Sequence, residues 1–251
     1  MIIDINAYCG NWPYYPIRVR SNEALVSLLD KFNIDQAAIT STKGIFVAAA
    51  AGNEDTAAMV AQSPSRLLAF ATVTPTDDKP AVEQLRRCAA QGMKGLRLFP
   101  QHHGYRLDDD PVLADILDAC QELALPVLIP IRLMANWSMP TLDVREIGNL
   151  AARFPAVQFI VGGCNYGEVR DTLGVMRRQP NVAMETSCLQ LHEGVRTFVE
   201  RAGAERVYFG SGLPLQYPGP GLAKIIHAQI SDAAKELILG GNAQRLIEER
   251  R

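Results

Sequence analysis

The chain has 251 residues, of which 48% are hydrophobic and 21% charged, and its 25 basic and 27 acidic side chains give a net charge of −2. This balance, with no long block of like charge, argues against a nucleic-acid-binding or membrane-binding protein. No Pro/Gly/Ser linker, low-complexity tract or internal repeat interrupts the sequence, so residues 1–251 are predicted to form one large α/β domain.

Five cysteines, at positions 9, 88, 120, 164 and 188, form no CxxC pair. Scattered thiols in a chain of this size are typical of a reducing compartment, so we predict a cytoplasmic protein with free cysteines. Met1-Ile2-Ile3 follows no basic segment, and neither a signal peptide nor a membrane span is predicted.

Short apolar segments, typical of buried parallel strands, alternate with amphipathic ones. We predict strands at 2–8, 34–40, 67–74, 93–99, 126–132, 157–163, 181–186 and 206–211. Between them, apolar residues recur at helical spacing, as in Leu191, Val195, Phe198, Val199 and Ala202. Ser21 predicts a helix N-cap, and Asp110-Pro111 predicts another helix start.

Eight strand–helix units predict a parallel sheet with crossover helices. A single (β/α)8 barrel needs about 250 residues and fits this length. A doubly wound open sheet is the alternative, but no GxGxxG follows the first strand to support it.

The active site of such a barrel lies at the carboxyl ends of its strands. Segments there resemble the amidohydrolase family, in the branch with decarboxylases and lactonases of small carboxylic acids. MIIDINAYCG resembles the family's first strand, usually D-x-H-x-H-x-G, and YFGSGLP its eighth, F-G-S-D-x-P. GMKGLRLFP, LPVLIP, FP followed by FIVGG, and GNAQRL resemble its fourth, fifth and sixth strands and its closing helix. The resemblance extends from residue 1 to about residue 247 and implies the same fold.

In that family the histidines of strands one and five and the aspartate of strand eight typically bind a divalent metal, and a strand-six histidine serves metal or substrate. Those places hold Asn6, Tyr8, Pro130, Gly212 and Gly163 here. Proline and glycine side chains offer no donor, and asparagine and neutral tyrosine are poor ligands. We therefore predict no metal and no other cofactor.

Arg97 and Arg132 are predicted near the same end of the barrel. Guanidinium groups bind carboxylate or phosphate in bidentate fashion, so the two suit a small anionic ligand. The alternative is that each pairs with a barrel carboxylate such as Asp4 or Glu185.

Glu185, Tyr8 and His103 are candidates for proton transfer. Glu185 lies near the end of strand seven and would be a general base if burial raised its pKa. An internal salt bridge is the alternative. His103 follows strand four in a loop, where functional residues are frequent.

Aromatic, proline-rich loops follow strands one and eight, at 11–16 and 215–220. With Asn6, the side chains of Trp12, Tyr14 and Tyr217 are predicted to bind a substrate in one pocket. The loops could equally pack against a second subunit of a homo-oligomer.

These features predict a metal-independent hydrolase or lyase acting on a small carboxylated molecule. Lactone hydrolysis is favoured because an activated ester needs less catalytic help than an amide. The catalytic candidates are Arg97, Arg132, Glu185, Tyr8 and His103. The alternatives are an inactive barrel that binds a small anion or serves as a scaffold, and a subunit whose partner supplies the activity. A barrel end plugged by Tyr8, Trp12 and Phe99 would favour the inactive barrel.

Overall fold

Strands and helices alternate through the part of the chain that the computed structural model describes, residues 1–76, 80–108, 110–135 and 141–248. The strands are β1 Ile3–Cys9, β2 Gln36–Ser41, β3 Leu67–Thr72, β4 Gly95–Arg97, β5 Val127–Pro130, β6 Phe159–Gly162, β7 Val182–Glu185 and β8 Val207–Tyr208. Each strand pairs in parallel with the next one in sequence. This order confirms the predicted (β/α)8 barrel.

The segment at and after β8 returns to β1 and closes the barrel. Main-chain hydrogen bonds join Ile5 N to Phe209 O at 3.0 Å, Gly212 N to Asn6 O at 2.8 Å and Tyr8 N to Leu213 O at 2.7 Å. The predicted strand 206–211 is therefore only partly a regular strand, because its second half meets β1 outside a regular ladder.

Helices surround the strands. In the described residues they are α1 Asn22–Lys31, α2 Thr42–Phe46, α3 Ala49–Gln62, α4 Ala81–Ala90, α5 Pro100–His103, α6 Pro111–Glu122, α7 Val144–Arg153, α8 Val169–Arg178, α9 Gly194–Ala202, α10 Pro218–Ile226, α11 Asp232–Glu236 and α12 Asn242–Glu248. A 3-10 turn covers Ala204–Arg206 and a π-turn covers Leu237–Gly241. None of these described helices has the length and apolar character needed to cross a membrane.

Local sequence features explain several of these boundaries. The Ser21 side chain accepts a hydrogen bond from Ala24 N at the start of α1, and Asp110 accepts from two amides at the start of α6, where Pro111 is the first residue. Both predicted starts are confirmed. Leu191, predicted on the apolar face of the ninth helix, instead precedes α9 and is 41% exposed.

Apolar side chains form three clusters. The largest lies between strands and helices and includes Leu25, Ile39, Ile116 and Phe198. The second fills the barrel interior with Ile5, Phe70, Leu128 and Ile160, against Ala243 of α12. The third, which we call the aromatic cover, consists of Tyr8, Trp12, Ile17, Ile45, Phe99, Leu133, Met134 and Leu215, with Phe46 packed on it.

Candidate functional site

The carboxyl ends of the strands gather the polar side chains that the sequence predicts there. Tyr8, Arg97 and Glu185 are fully buried, and Asn6 is 1% exposed. The Tyr8 ring lies 5.1 Å from the guanidinium carbon of Arg97, and Asn6 Nδ2 donates to Glu185 Oε1 at 3.1 Å. These residues form a polar layer in contact with the aromatic cover through Tyr8.

Arg97 donates to main-chain carbonyl groups rather than to a carboxylate. Nη1 donates to Ala7 O at 2.6 Å, and Nη2 donates to Ile5 O at 2.8 Å and to Ala38 O at 2.9 Å. A bulge shifts the register of β1 against β2 between Asp4 and Ala7. The sequence offered two roles for Arg97, binding of a small anion or pairing with a barrel carboxylate. The bonds seen here are of neither kind, because the guanidinium links main-chain groups of β1 and β2 beside the bulge.

Tyr8 and Asn6 each have a buried oxygen that lacks a hydrogen-bond partner among the described residues, Tyr8 Oη and Asn6 Oδ1. Burial is the main cause that raises the pKa of Tyr8 above its usual value, with the Arg97 charge opposing it. Tyr8 is therefore a neutral phenol, able to donate a hydrogen bond. A buried polar atom left without a partner costs about 1–3 kcal/mol, so these two oxygens suit a polar ligand.

The carboxylate of Glu185 accepts four hydrogen bonds. Oε1 accepts from Gly163 N at 2.6 Å, Ser187 Oγ at 2.8 Å and Asn6 Nδ2 at 3.1 Å, while Oε2 accepts from Ser187 N at 2.6 Å. Ser187 Oγ also accepts from Asn6 Nδ2 at 3.3 Å. The salt bridge expected as an alternative is not among these bonds, whose donors are uncharged.

Asp4 lies two residues before Asn6 in β1 and is also fully buried. It accepts hydrogen bonds from the amide and the hydroxyl of Ser211 and from Asn6 N. Burial outweighs these bonds and raises the pKa of Asp4 to about 6.

Arg132 follows β5 and pairs with Glu168 through Nη2, with both side chains partly exposed. Glu168 is held in turn by Asn165 N at 3.1 Å. Arg97 ends β4 and Arg132 follows β5, so both lie at carboxyl ends of strands, but no residue that the structure describes bonds to both side chains.

His103 is at the end of α5, where its Nε2 lies 3.1 Å from Gly44 O. Its ring centroid is 5.9 Å from that of Phe99, next to the aromatic cover. Burial lowers the pKa of the neighbouring His102 to about 4. The structure places His103 beside the cover and not in the polar layer.

The two aromatic loops, 11–16 and 215–220, come together only in part. Trp12 is 5% exposed, packs against Tyr14 at 5.4 Å between ring centroids and shares the aromatic cover with Leu215. Tyr15 Oη contacts Leu215 O at 3.4 Å, so the two loops do meet. Tyr217 instead packs on Phe32 beyond the end of α1, at 4.8 Å, and is 58% exposed.

At the positions that the sequence resemblance assigns to metal ligands, the residues present offer few donors to a divalent metal. Gly163 and Gly212 have φ of +73° and +71°, and a Cβ would lie 2.3 Å from Arg132 O and 2.4 Å from Gln216 Nε2, respectively. Pro130 has no donor side chain. Within the described ranges, no group of three or more His, Cys, Asp or Glu side chains could hold a metal ion.

Sequence reasoning missed two polar residues of this layer, Ser187 and Lys224. Lys224 Nζ donates to the carbonyl oxygens of Thr186, Ser187 and Leu189 at 2.8–3.3 Å, which holds the segment after β7. Lys224 lies between the apolar residues Leu222 and Ile225, and a lysine at such a position indicates that its ammonium group has hydrogen-bond partners inside the protein. Nothing in the sequence distinguishes Ser187.

Comparison with known proteins identifies the family. The family model described as Amidohydrolase matches residues 8–248, so the chain belongs to the amidohydrolase family. A search of curated proteins found none that matches.

Solved structures share the fold at low identity. An uncharacterized TIM-barrel protein from Bordetella bronchiseptica is 19% identical, with a TM-score of 0.79 over 99% of each chain. A dihydroxybenzoic acid decarboxylase from Polaromonas, with bound manganese and the inhibitor 2-nitroresorcinol, is 17% identical, with a TM-score of 0.77 over 100% of this chain and 97% of that one. 4-Oxalomesaconate hydratase from Rhodopseudomonas palustris is 16% identical, with a TM-score of 0.75 over 100% and 96%.

Proposed function

We propose that this amidohydrolase-family barrel acts without the usual metal on a small carboxylated molecule, with hydrolysis of a lactone as the reaction. The observation that carries the proposal is the pair of buried oxygens, Tyr8 Oη and Asn6 Oδ1, that have no hydrogen-bond partner within the described part of the chain. They lie at the end of the barrel where such folds carry their active sites. A carbonyl or hydroxyl group of a bound molecule would supply those partners.

The reaction would use hydrogen bonding and fixed charge. Water adds to the lactone carbonyl carbon, the ring C–O bond breaks, and the products are a carboxylic acid and an alcohol. The neutral Tyr8 hydroxyl would donate to the carbonyl oxygen as negative charge develops there, and Arg132, which remains partly exposed, would attract the substrate carboxylate. The proton released by the attacking water would pass to the ring oxygen that leaves. His103, the candidate carrier from the sequence, would have to act from beside the aromatic cover, where its Nε2 lies 3.1 Å from Gly44 O.

Arg97 and Glu185 fit less well as groups that contact substrate, since each is fully buried and bonded inside the protein. Their predicted catalytic roles stay open to the same experiment. Tyr217 fits a binding role least, because its ring contacts are with Phe32 and Lys31.

The test is a screen of small lactones and keto- or enol-acids with a chelator present. We expect turnover that survives chelation and falls roughly 100- to 1,000-fold in Tyr8→Phe, the range for losing one donor to a developing oxyanion. Tyr166→Phe, at a tyrosine that is 72% exposed, is the matched control and should change nothing. Turnover that needs added metal, or that is equal in Tyr8→Phe and wild type, would contradict the proposal.

A second function, small-anion binding without turnover, is favoured by the aromatic cover. Trp12, Phe99 and Tyr8 are 5%, 1% and 0% exposed, so apolar side chains cover the polar layer. Calorimetry with the same compounds separates the two functions. Tight binding of a carboxylate with no product would identify a binding protein.

A further inference from the structure

Four hydrogen-bond donors from three parts of the barrel converge on one carboxylate, that of Glu185. They are Asn6 Nδ2 from β1, Gly163 N after β6, and the amide and hydroxyl of Ser187 after β7, at 2.6–3.1 Å. Two are main-chain amides, whose positions are fixed by the barrel. This is the arrangement of donors that proteins use to bind an anion.

Glycines provide the space that the carboxylate occupies. A Cβ at Gly210 would lie 2.0 Å from Glu185 Oε2, and one at Gly162 would lie 3.4 Å from Oε1. Gly163 has a φ of +73°, a backbone conformation that residues other than glycine rarely adopt. The backbone at the ends of β6 and β8, the two strands that flank β7, therefore leaves room for this carboxylate.

A positive charge lies nearby. Lys224 Nζ donates to three carbonyl groups after β7. Burial lowers the pKa of Lys224, and the charge of Glu185 opposes that shift. The charge lies just outside the donor set, where it favours an anion in the site.

We propose that these donors form a small-carboxylate site which Glu185 occupies as a built-in ligand. Its carboxylate joins β1, β6 and β7 at the end of the barrel. When the side chain is shortened, the donors remain in place and take up a free carboxylate of the size of acetate. The inference does not depend on the proposed lactone hydrolysis, because it concerns binding alone.

The Glu185→Ala variant tests the site by rescue. This change removes two carbon and two oxygen atoms, which are the heavy atoms of acetate. We expect a lower melting temperature in the variant and a rise with acetate that follows single-site binding, of about 3–6 °C at ten times the dissociation constant. Butyrate, which is longer than the removed group, and acetamide, which has the same shape without the charge, should give no rise beyond that of the salt control.

Two further proteins serve as controls. The wild type should not respond to acetate because its site is filled. Glu122→Ala removes an exposed carboxylate that pairs with Arg86 on the outer helices, away from the barrel end, and it should not respond either. Sodium chloride at matched ionic strength accounts for general salt effects.

The proposal fails if acetate and acetamide stabilise Glu185→Ala equally, or if Glu122→Ala shows the same rise with acetate. If Glu185→Ala does not fold by itself, its refolding yield is measured in acetate and in acetamide. A higher yield in acetate alone supports the site, and equal yields overturn it.

Discussion

Asp4 and Glu185 are carboxylates buried at the same end of the barrel, yet their partners differ. Glu185 accepts from four donors, whereas Asp4 accepts from Ser211 and from Asn6 N. For Asp4, burial outweighs its bonds and raises the pKa to about 6. An aspartate in an unfolded chain has a pKa of about 3.9, so between these values the folded protein holds a proton that the unfolded chain has released.

We predict that Asp4→Asn changes the pH dependence of stability. As pH rises from about 4 to about 6, the free energy of unfolding of the wild type should fall relative to the variant by about 3 kcal/mol. Above pH 6 the difference should be constant, because Asp4 is then ionised in both states. Denaturant unfolding of both proteins at several pH values gives the difference.

His102 also changes the free energy of unfolding in this pH range, but in the opposite direction. Burial lowers the pKa of its ring to about 4, so the stability it contributes is lost as pH falls from its unfolded value of about 6.5 towards 4. Both proteins contain His102, and its effect cancels in their difference. Parallel pH profiles for wild type and Asp4→Asn would show that the pKa of Asp4 is not raised.

Sequence alone predicts which polar side chains lie at this end of the barrel, because strand ends and the alternation of faces are visible in it. It does not predict their partners. Arg97 and Glu185 show the reason: their acceptors and donors include main-chain groups from distant segments, such as Ile5 O and Gly163 N. No pattern of side chains identifies such groups before the fold is known.

At the scale of an element, β1 differs from the other strands in its bulge. Asp4 pairs with Ala37 and Ala7 with Ile39, so three steps along β1 match two along β2. A bulge disrupts the regular ladder and leaves main-chain groups in need of other partners. Arg97 donates to three carbonyl oxygens there, with its guanidinium between the rings of Tyr8 and Phe70 at 5.1 and 5.4 Å.

We predict that Arg97→Lys destabilises the protein by about 2–4 kcal/mol, because a single ammonium group cannot replace a planar guanidinium that bonds three carbonyls. Denaturant unfolding measures the loss. Arg87→Lys, at an exposed position of α4, is the matched control and should stay within about 0.5 kcal/mol of wild type. If Arg97→Lys were as stable as wild type but bound carboxylates more weakly, Arg97 would be a ligand-binding residue, as the sequence first suggested.

The strands were predicted more reliably in position than in length. Prediction gave 93–99 and 206–211, whereas the regular strands are Gly95–Arg97 and Val207–Tyr208. Apolar composition continues past the last paired residue, because the segment after β4 enters the aromatic cover and the segment after β8 returns to β1. Burial is encoded locally, but pairing depends on the neighbouring strand.

At the scale of the molecule, the two ends of the described chain meet beneath the barrel. The π-turn Leu237–Gly241 lies against the start of β1, and Ile238 O accepts from Phe209 N at 2.9 Å. Helix α12 then places Ala243 against the barrel interior. The match to the amidohydrolase family model ends in this same helix, at residue 248.

Gly240 lies against Met1 where these ends meet, and a prediction for the whole molecule follows from this contact. A Cβ at Gly240 would lie 2.2 Å from Met1 O, a main-chain atom, whereas at Gly241 the nearest atom is 3.4 Å away, on the Leu237 side chain. Gly240→Ala should therefore cost about 1–3 kcal/mol of stability through overpacking. Gly241→Ala should be neutral or stabilising by up to about 1 kcal/mol, because alanine favours helical backbone. Thermal and denaturant unfolding of the two variants side by side makes the comparison. Equal stability would mean that the first residues move aside at little cost and that the contact between the chain ends does not hold the barrel closed.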